Sequence, residues 1–177
     1  PVYAAAVILE TIQGGAGFIA PTNSYLSKVE QRCKEVGALL ILDEIQSGIG
    51  RTGKFFGFEN YKVVPDIIVA GKGLGGGMPI GAFIASWDLM NLLTFKPKLG
   101  HITTFGGHPL NCAASLACLE YLLRSDIMKG VEKKEQLFRS HLKHPKVRAI
   151  RGRGLMLSIE LNDEELVKKV IEISLEK

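Results

Sequence analysis

Cysteine is scarce in this chain, tryptophan scarcer, and no hydrophobic run is long. The 177 residues hold three cysteines and one tryptophan. Cys33, Cys112 and Cys118 show no C-x-x-C spacing, and an odd number in a chain of this length argues against a disulfide framework. Reduced thiols in a cytosol-like compartment, hence a cytoplasmic protein, are expected. No apolar stretch approaches a membrane span, and Pro1 opens no signal-peptide pattern. Histidines number four. His141 and His144 lie near a helix end without the cysteine or carboxylate pair that would complete a metal site, so no metal is expected. The formal charge of +4 is spread along the chain. Its densest cluster, Arg148, Arg151 and Arg153, has no interleaved aromatics and reads as solvated surface, which argues against nucleic acid as a partner.

What is present is the balance of a globular protein with a sizeable core, 46% hydrophobic and 23% charged. Short apolar runs bounded by turn signals alternate with helical periodicity, which indicates an α/β layered domain. Strands are expected over residues 2–9, 38–42, 66–70 and 80–86. A helix is expected over 21–36, stopped by Gly37, and a short one over 87–93. From Pro109 the character changes. A long helix over 109–124 has proline in its first turn, where a missing N–H costs little. Cys112 and Cys118 fall in that Ala/Leu-rich run and read as small core residues. A second amphipathic helix over 127–143, strands at 147–150 and 155–161, and a final helix from Asp163 follow. A boundary near Ser125 divides the chain into 1–124 and 125–177.

Two residues carry the chemistry. Asp43 closes a buried strand, and the carboxyl ends of strands are where α/β sheets bind ligands. Lys72 follows another buried strand, within Ala70-Gly71-Lys72-Gly73-Leu74-Gly75-Gly76-Gly77-Met78-Pro79. Glycines around an amine let a flat ligand come close, and an amine can attack an aldehyde. Alone, a strand-end aspartate is structural and a loop lysine is solvated. Together they suit a cofactor that bonds to an amine and needs a carboxylate at its far end. Pyridoxal 5'-phosphate answers that description, because its ring nitrogen must stay protonated to act as an electron sink.

The wider context is specific. Leu42-Asp43-Glu44-Ile45-Gln46-Ser47-Gly48-Ile49-Gly50-Arg51-Thr52-Gly53, then Pro65-Asp66-Ile67-Ile68, then Gly71 to Ala82, resemble the signature of class III aminotransferases, the family of the ornithine, acetylornithine and 4-aminobutyrate enzymes. Thr103 to Leu110 resembles a further family motif, with His108 where Asn is usual. Glu10-Thr11-Ile12-Gln13-Gly14 resembles another, with Thr11 in place of Pro. The resemblance implies the fold of aspartate-aminotransferase-type enzymes, a large domain with a mixed, mostly parallel sheet plus part of an α+β small domain. Residues 1–124 would be the later part of the large domain, and 125–177 part of the small one. It implies Lys72 as Schiff-base residue and proton carrier, and Asp43 as partner of the pyridinium nitrogen. Ile45 would pack on the ring and Gln46 reach its hydroxyl. Thr104 would bind the phosphate of a neighbouring subunit in a homodimer with shared active sites. The substrates implied are an amino donor, either an amino acid or an ω-amine, and a 2-oxo acid. Gly15 stands where many members have Glu, which leaves preference between α- and ω-amines open. Family members are more than twice this long, so a partial chain is implied.

Two other functions stay open at this point. Gly48 to Lys54 matches Gly-x4-Gly-Lys, the start of a nucleotide-binding P-loop, but Phe55 takes the place of the magnesium-binding Ser or Thr. A non-catalytic fragment or scaffolding remnant of the same fold is the other.

Overall fold

A computed structural model describes residues 4–95 and 102–176. Its main sheet has the order β1 (Ala6–Glu10), β2 (Leu39–Asp43), β3 (Ile67–Ala70) and β4 (Ala82–Ala85). The first three strands are parallel and β4 is antiparallel to β3. The helix α1 (Tyr25–Val36) links β1 to β2. Beyond β4 come α2 (Trp87–Leu92), α3 (Pro109–Arg124) and α4 (Val131–His141). An antiparallel pair, β5 (Val147–Arg153) and β6 (Met156–Leu161), precedes α5 (Glu164–Leu175). Among the described residues no helix is long and apolar enough to cross a membrane.

Alternation along β2 builds the core. Leu40 and Leu42 point to one face, where Leu26 and Cys33 of α1 meet them together with Phe58, Tyr61 and Val63. Leu42 is 0% exposed, and burying such a side chain stabilises by about 2 kcal/mol. Asp66 fastens the next strand: its Oδ2 accepts the Leu40 N–H at 2.7 Å while its own N–H donates to the Leu40 carbonyl at 2.9 Å. The opposite face is uncovered, with Ile8 63% and Phe83 46% exposed.

The expected elements are found with small shifts of their bounds, and four points stand out. Residues 2 and 3 of the first expected strand lie outside the described residues. The helix expected from residue 21 begins at Tyr25, after a turn closed by Tyr25 N–H donating to Thr22 O at 3.0 Å. The helix expected over 127–143 is a tight 3-10 turn, Ile127–Gly130, followed by α4, because Gly130 sits at the N-cap. The strand expected to stop at 150 runs on to Arg153.

One expectation fails. Cys112 is exposed and Cys118 only half-buried, and Ser115 is the buried residue of α3. That helix leans by one narrow face on the glycine-rich turn after β3, leaving Leu110, Leu116, Tyr121 and Leu123 exposed. Apolar composition all round the helix gave no sign of which side would be covered.

Candidate active site

Parallel register brings three strand ends together. Glu10 pairs with Asp43, and Asp43 with Val69, three residues before Lys72. The loops that leave these tips form the site.

Asp43 lies half-buried on the face of β2 opposite Leu42. Its Oδ1 accepts the Ile45 N–H at 2.9 Å, which turns the chain sharply and leaves Oδ2 without a protein partner among the described residues. Lys72 opens a tight turn, Lys72–Gly75, in the left-handed region at φ 45°. Few non-glycine residues hold that conformation, and strain of this kind concentrates at functional positions. The amine is exposed and has no ion-pair partner among the described residues. Ile45 lies beneath the turn, 3.5 Å from where a Cβ on Gly71 would stand.

Lys72, Ile45 and Gln46 line one cavity of about 270 Å³. Asp43 stands at the adjacent strand tip and is not part of that lining. Thr104 lies elsewhere, in an exposed turn before α3. His108 occupies the N-cap position of α3 without a side-chain capping bond.

Of the glycines in the Lys72 turn, Gly76 is the one that packing against α3 requires. A Cβ on Gly76, at φ 57°, would fall 2.9 Å from Cys118 Cβ and 3.0 Å from the Ala114 carbonyl oxygen of α3. Asn111 adds a hydrogen bond from the same helix to Pro79 O at 2.6 Å. The helix thus seats the turn that carries Lys72. Gly14 is equally constrained, because a Cβ there would collide with the Gln46 side chain. Glu10 Oε2 accepts the Gly14 N–H at 2.7 Å, so the Glu10–Gly14 motif is a turn closed down onto Gln46.

Glu44 went unremarked in the sequence. It is 0% exposed and accepts from Thr11 Oγ1 at 2.5 Å and from Ser47 Oγ, Gly57 N and Phe58 N, each at 2.8 Å. Four donors around one carboxylate satisfy a charge that would otherwise be costly to bury. They lock the 44–58 loop, whose start holds Ile45 and Gln46.

The same loop disposes of the P-loop alternative. After Lys54 the chain forms only the short 3-10 turn Gly57–Tyr61, not the long helix whose N-terminus would cradle phosphate. Residues 51–52 instead receive the β5–β6 turn: Leu155 N–H donates to Arg51 O at 3.0 Å, and a Cβ on Gly154 would stand 2.6 Å from Thr52 Cα. That contact brings Leu155 and Met156 to the Lys72 cavity, together with Phe18 and Arg51. Sequence reasoning missed these four; the glycines at 152 and 154 were the available signal of close approach.

The arginine cluster is likewise not simply solvated. Arg148 and Arg151 share Glu160, and Arg151 Nε also donates to Gly17 O at 3.2 Å, tying β5 to the loop that bears Phe18. His141 and His144 spend Nδ1 on local contacts, the former 2.9 Å from Leu137 O and the latter 3.2 Å from Lys146 N.

Comparison with known proteins shows the family. The family model described as Aminotransferase class-III matches residues 3–177. An acetylornithine aminotransferase of Caldanaerobacter subterraneus subsp. tengcongensis is 47% identical over 175 residues, covering 94% of this chain and 44% of the relative. One from Methanopyrus kandleri is 45% identical over 166 residues, covering 93% of this chain and 42% of that protein. The solved ornithine aminotransferase of Toxoplasma gondii ME49 superposes with a TM-score of 0.84 at 35% identity, over 95% of this chain and 42% of that one. An (S)-enantioselective omega-transaminase from Thermomicrobium roseum gives 0.83 at 34% identity, over 93% and 38% respectively. The chain spans less than half the length of these relatives.

Proposed function

Because the chain belongs to the class III aminotransferases, we propose that it is the Lys72-bearing part of an enzyme that moves an amino group between an amino acid or ω-amine and a 2-oxo acid, with pyridoxal 5'-phosphate as cofactor. The observation that carries this is one of register: Asp43 and Lys72 leave adjacent parallel strand ends, and Lys72 shares a cavity with Ile45 and Gln46.

The donor set fits the ring and aldehyde end of such a cofactor. Asp43 keeps one carboxylate oxygen for the Ile45 N–H and has the other free to hold a ring N–H. Ile45 offers an apolar surface for a ring face, and Gln46 an amide for the ring hydroxyl. Lys72 offers a primary amine. Bound there, the cofactor supplies an aldehyde that takes up the donor's amino group and a protonated ring that draws electrons from the substrate carbon.

The chain's own residues do the rest. Lys72 Nζ would anchor the cofactor and, as a free amine, would move a proton at the carbon bearing the amino group. Asp43 holds the ring proton by ion pairing in a half-buried setting, where the attraction is stronger than in water. Thr104, exposed at the head of α3, supplies its hydroxyl to a phosphate in a neighbouring subunit of a homodimer, and the apolar residues left uncovered on α3 support such a partner. Residues 1–124 form the later part of a large domain and 125–177 part of a small one, in keeping with the two separate sheets. A cytoplasmic location is supported by three cysteines without a disulfide among them. At Gly15, which is exposed, a Cβ would meet nothing within 4 Å, so no other side chain crowds that position.

The test is covalent capture. Incubation with pyridoxal 5'-phosphate and reduction with borohydride should leave a label that peptide mass spectrometry finds on Lys72, and Lys72→Ala should lose it. Label scattered over surface lysines, or unchanged in Lys72→Ala, ends the proposal. The span of the chain favours one second reading, a unit that captures the cofactor without turnover. Lys72 labelling with no 2-oxo acid formed from any amino donor would favour it.

A further inference from the structure

We propose that the cleft between the 52–61 loop and α4 is a second binding site, for a small organic monocarboxylate, built on Tyr61 and Arg153 and separate from the Lys72 cavity. The cleft measures about 730 Å³ and shares no lining residue with the cavity at Lys72.

Tyr61 provides the first sign. It is 5% exposed, and its hydroxyl makes no hydrogen bond of ordinary geometry, although the Arg153 guanidinium stands close enough to interact with its oxygen; the O–H has no acceptor. Buried polar groups in folded proteins are nearly always satisfied, so an orphan hydroxyl in a cavity wall marks a missing acceptor or donor. Arg153 provides the second. Its guanidinium carbon lies 5.7 Å from the centre of the Tyr61 ring, it is half-buried, and it has no carboxylate partner among the described residues. A planar cation stacked on an aromatic ring keeps its N–H edge free to bind.

Charge selects the ligand. Four cations and two carboxylates line the cleft, but half of these charges are already matched. Arg139 pairs with Glu135 at 2.9 Å and donates to the Ile150 and Gly152 carbonyls. Glu135 also takes the Gly154 N–H at 2.6 Å, and Lys129 pairs with Asp126 at 2.7 Å. What is left is Arg153 and Lys54 against Glu132, a surplus of one positive charge. A monocarboxylate neutralises it, with two oxygens for the guanidinium edge and a lone pair for the Tyr61 O–H. A doubly charged phosphate would face Glu132 with charge to spare. Ala20, Pro21 and Met128 give an apolar wall for a short carbon chain.

Butyrate is the probe, titrated into the 177-residue chain at low salt while the Arg153 side-chain N–H and the Gly152 and Gly154 amides are followed by NMR. Saturable shifts are expected, lost in Arg153→Met and weakened about five-fold in Tyr61→Phe, the worth of one ordinary hydrogen bond. Without butyrate, Tyr61→Phe should unfold close to the urea concentration of the parent chain, because the hydroxyl has no hydrogen bond of ordinary geometry to lose; this holds the test open if Arg153→Met fails to fold. Shifts that never saturate, equal affinity in Tyr61→Phe, or inorganic phosphate binding in preference to butyrate would each overturn the proposal. If a longer product of the same gene holds these resonances at their shifted positions without butyrate, the carboxylate comes from its own polypeptide; if it still responds to butyrate, the ligand is a free one.

Discussion

The Thr11 hydroxyl donates to Oε1 of Glu44 across 2.5 Å, and both side chains are fully buried. The bond joins the residue after β1 to the residue after β2, so the loops leaving two adjacent strand tips move as one. Thr11 occupies the position where the resembling motif has proline, which has no hydroxyl to give. Its N–H, also missing in proline, donates to Asp43 O at 3.4 Å.

Thr11→Val keeps the shape and removes the donor to a charged acceptor, so it should cost about 1.5–3 kcal/mol. Thr11→Ser should cost much less. Glu44→Gln turns an amide N–H2 toward donors and should cost about 3 kcal/mol or more. Urea unfolding of the three variants measures all of this. A Thr11→Val midpoint equal to that of the parent chain would mean the bond contributes nothing.

The same pair marks where sequence reasoning stops. The span of α3 was legible to the residue, because Pro109 fits a first helical turn and the apolar pattern ends at Arg124. The run Ala38 to Leu42 was legible as a strand because only a buried one tolerates continuous aliphatics. Lys72 and Asp43 were singled out by spacing and context, and Lys72, Ile45 and Gln46 do share a cavity. Glu44 was not legible. Its burial depends on backbone N–H groups at 57 and 58 and a hydroxyl 33 positions earlier, and no periodicity reports such convergence. The exposure of Cys112 was missed for a related reason: a uniformly apolar helix does not say which of its faces is covered.

Alkaline pH should weaken the fold through two buried acids. Burial raises the Cys33 thiol above its ordinary 9.0, with Asp66 adding to the effect. Burial also raises Tyr61 above its ordinary 10.0, opposed by the nearby charge of Arg153. A raised folded-state pKa means that the unfolded chain releases its proton first. The contribution is therefore whole below the unfolded value and is lost as pH rises through the folded one. Urea midpoints should hold steady up to about pH 8.5 and fall toward about pH 10.5. Cys33→Ala should remove the earlier part of the fall and Tyr61→Phe the later part. An unaltered alkaline slope in both variants would assign the loss to other groups.

Gly76 tests whether α3 seats the Lys72 turn. A Cβ there meets Cys118 Cβ at 2.9 Å and Ala114 O at 3.0 Å, with φ at 57°. Gly76→Ala therefore combines a backbone cost with a steric one and should destabilise by about 1–3 kcal/mol. At Gly77, φ is 102° and a Cβ meets nothing within 4 Å, so Gly77→Ala reports the backbone cost alone. Cys118→Gly removes one of the two obstructing atoms. In a double-mutant cycle it should recover part of the Gly76→Ala loss, the part due to the side chain, since the Ala114 carbonyl stays in place. The Gly77→Ala loss should be unmoved by it. Because the helix holds the turn, Gly76→Ala should also slow borohydride-trapped labelling of Lys72 while Gly77→Ala does so less. Equal coupling of both glycines to Cys118 would show that the helix senses the turn only through global stability, and the seating role would fall.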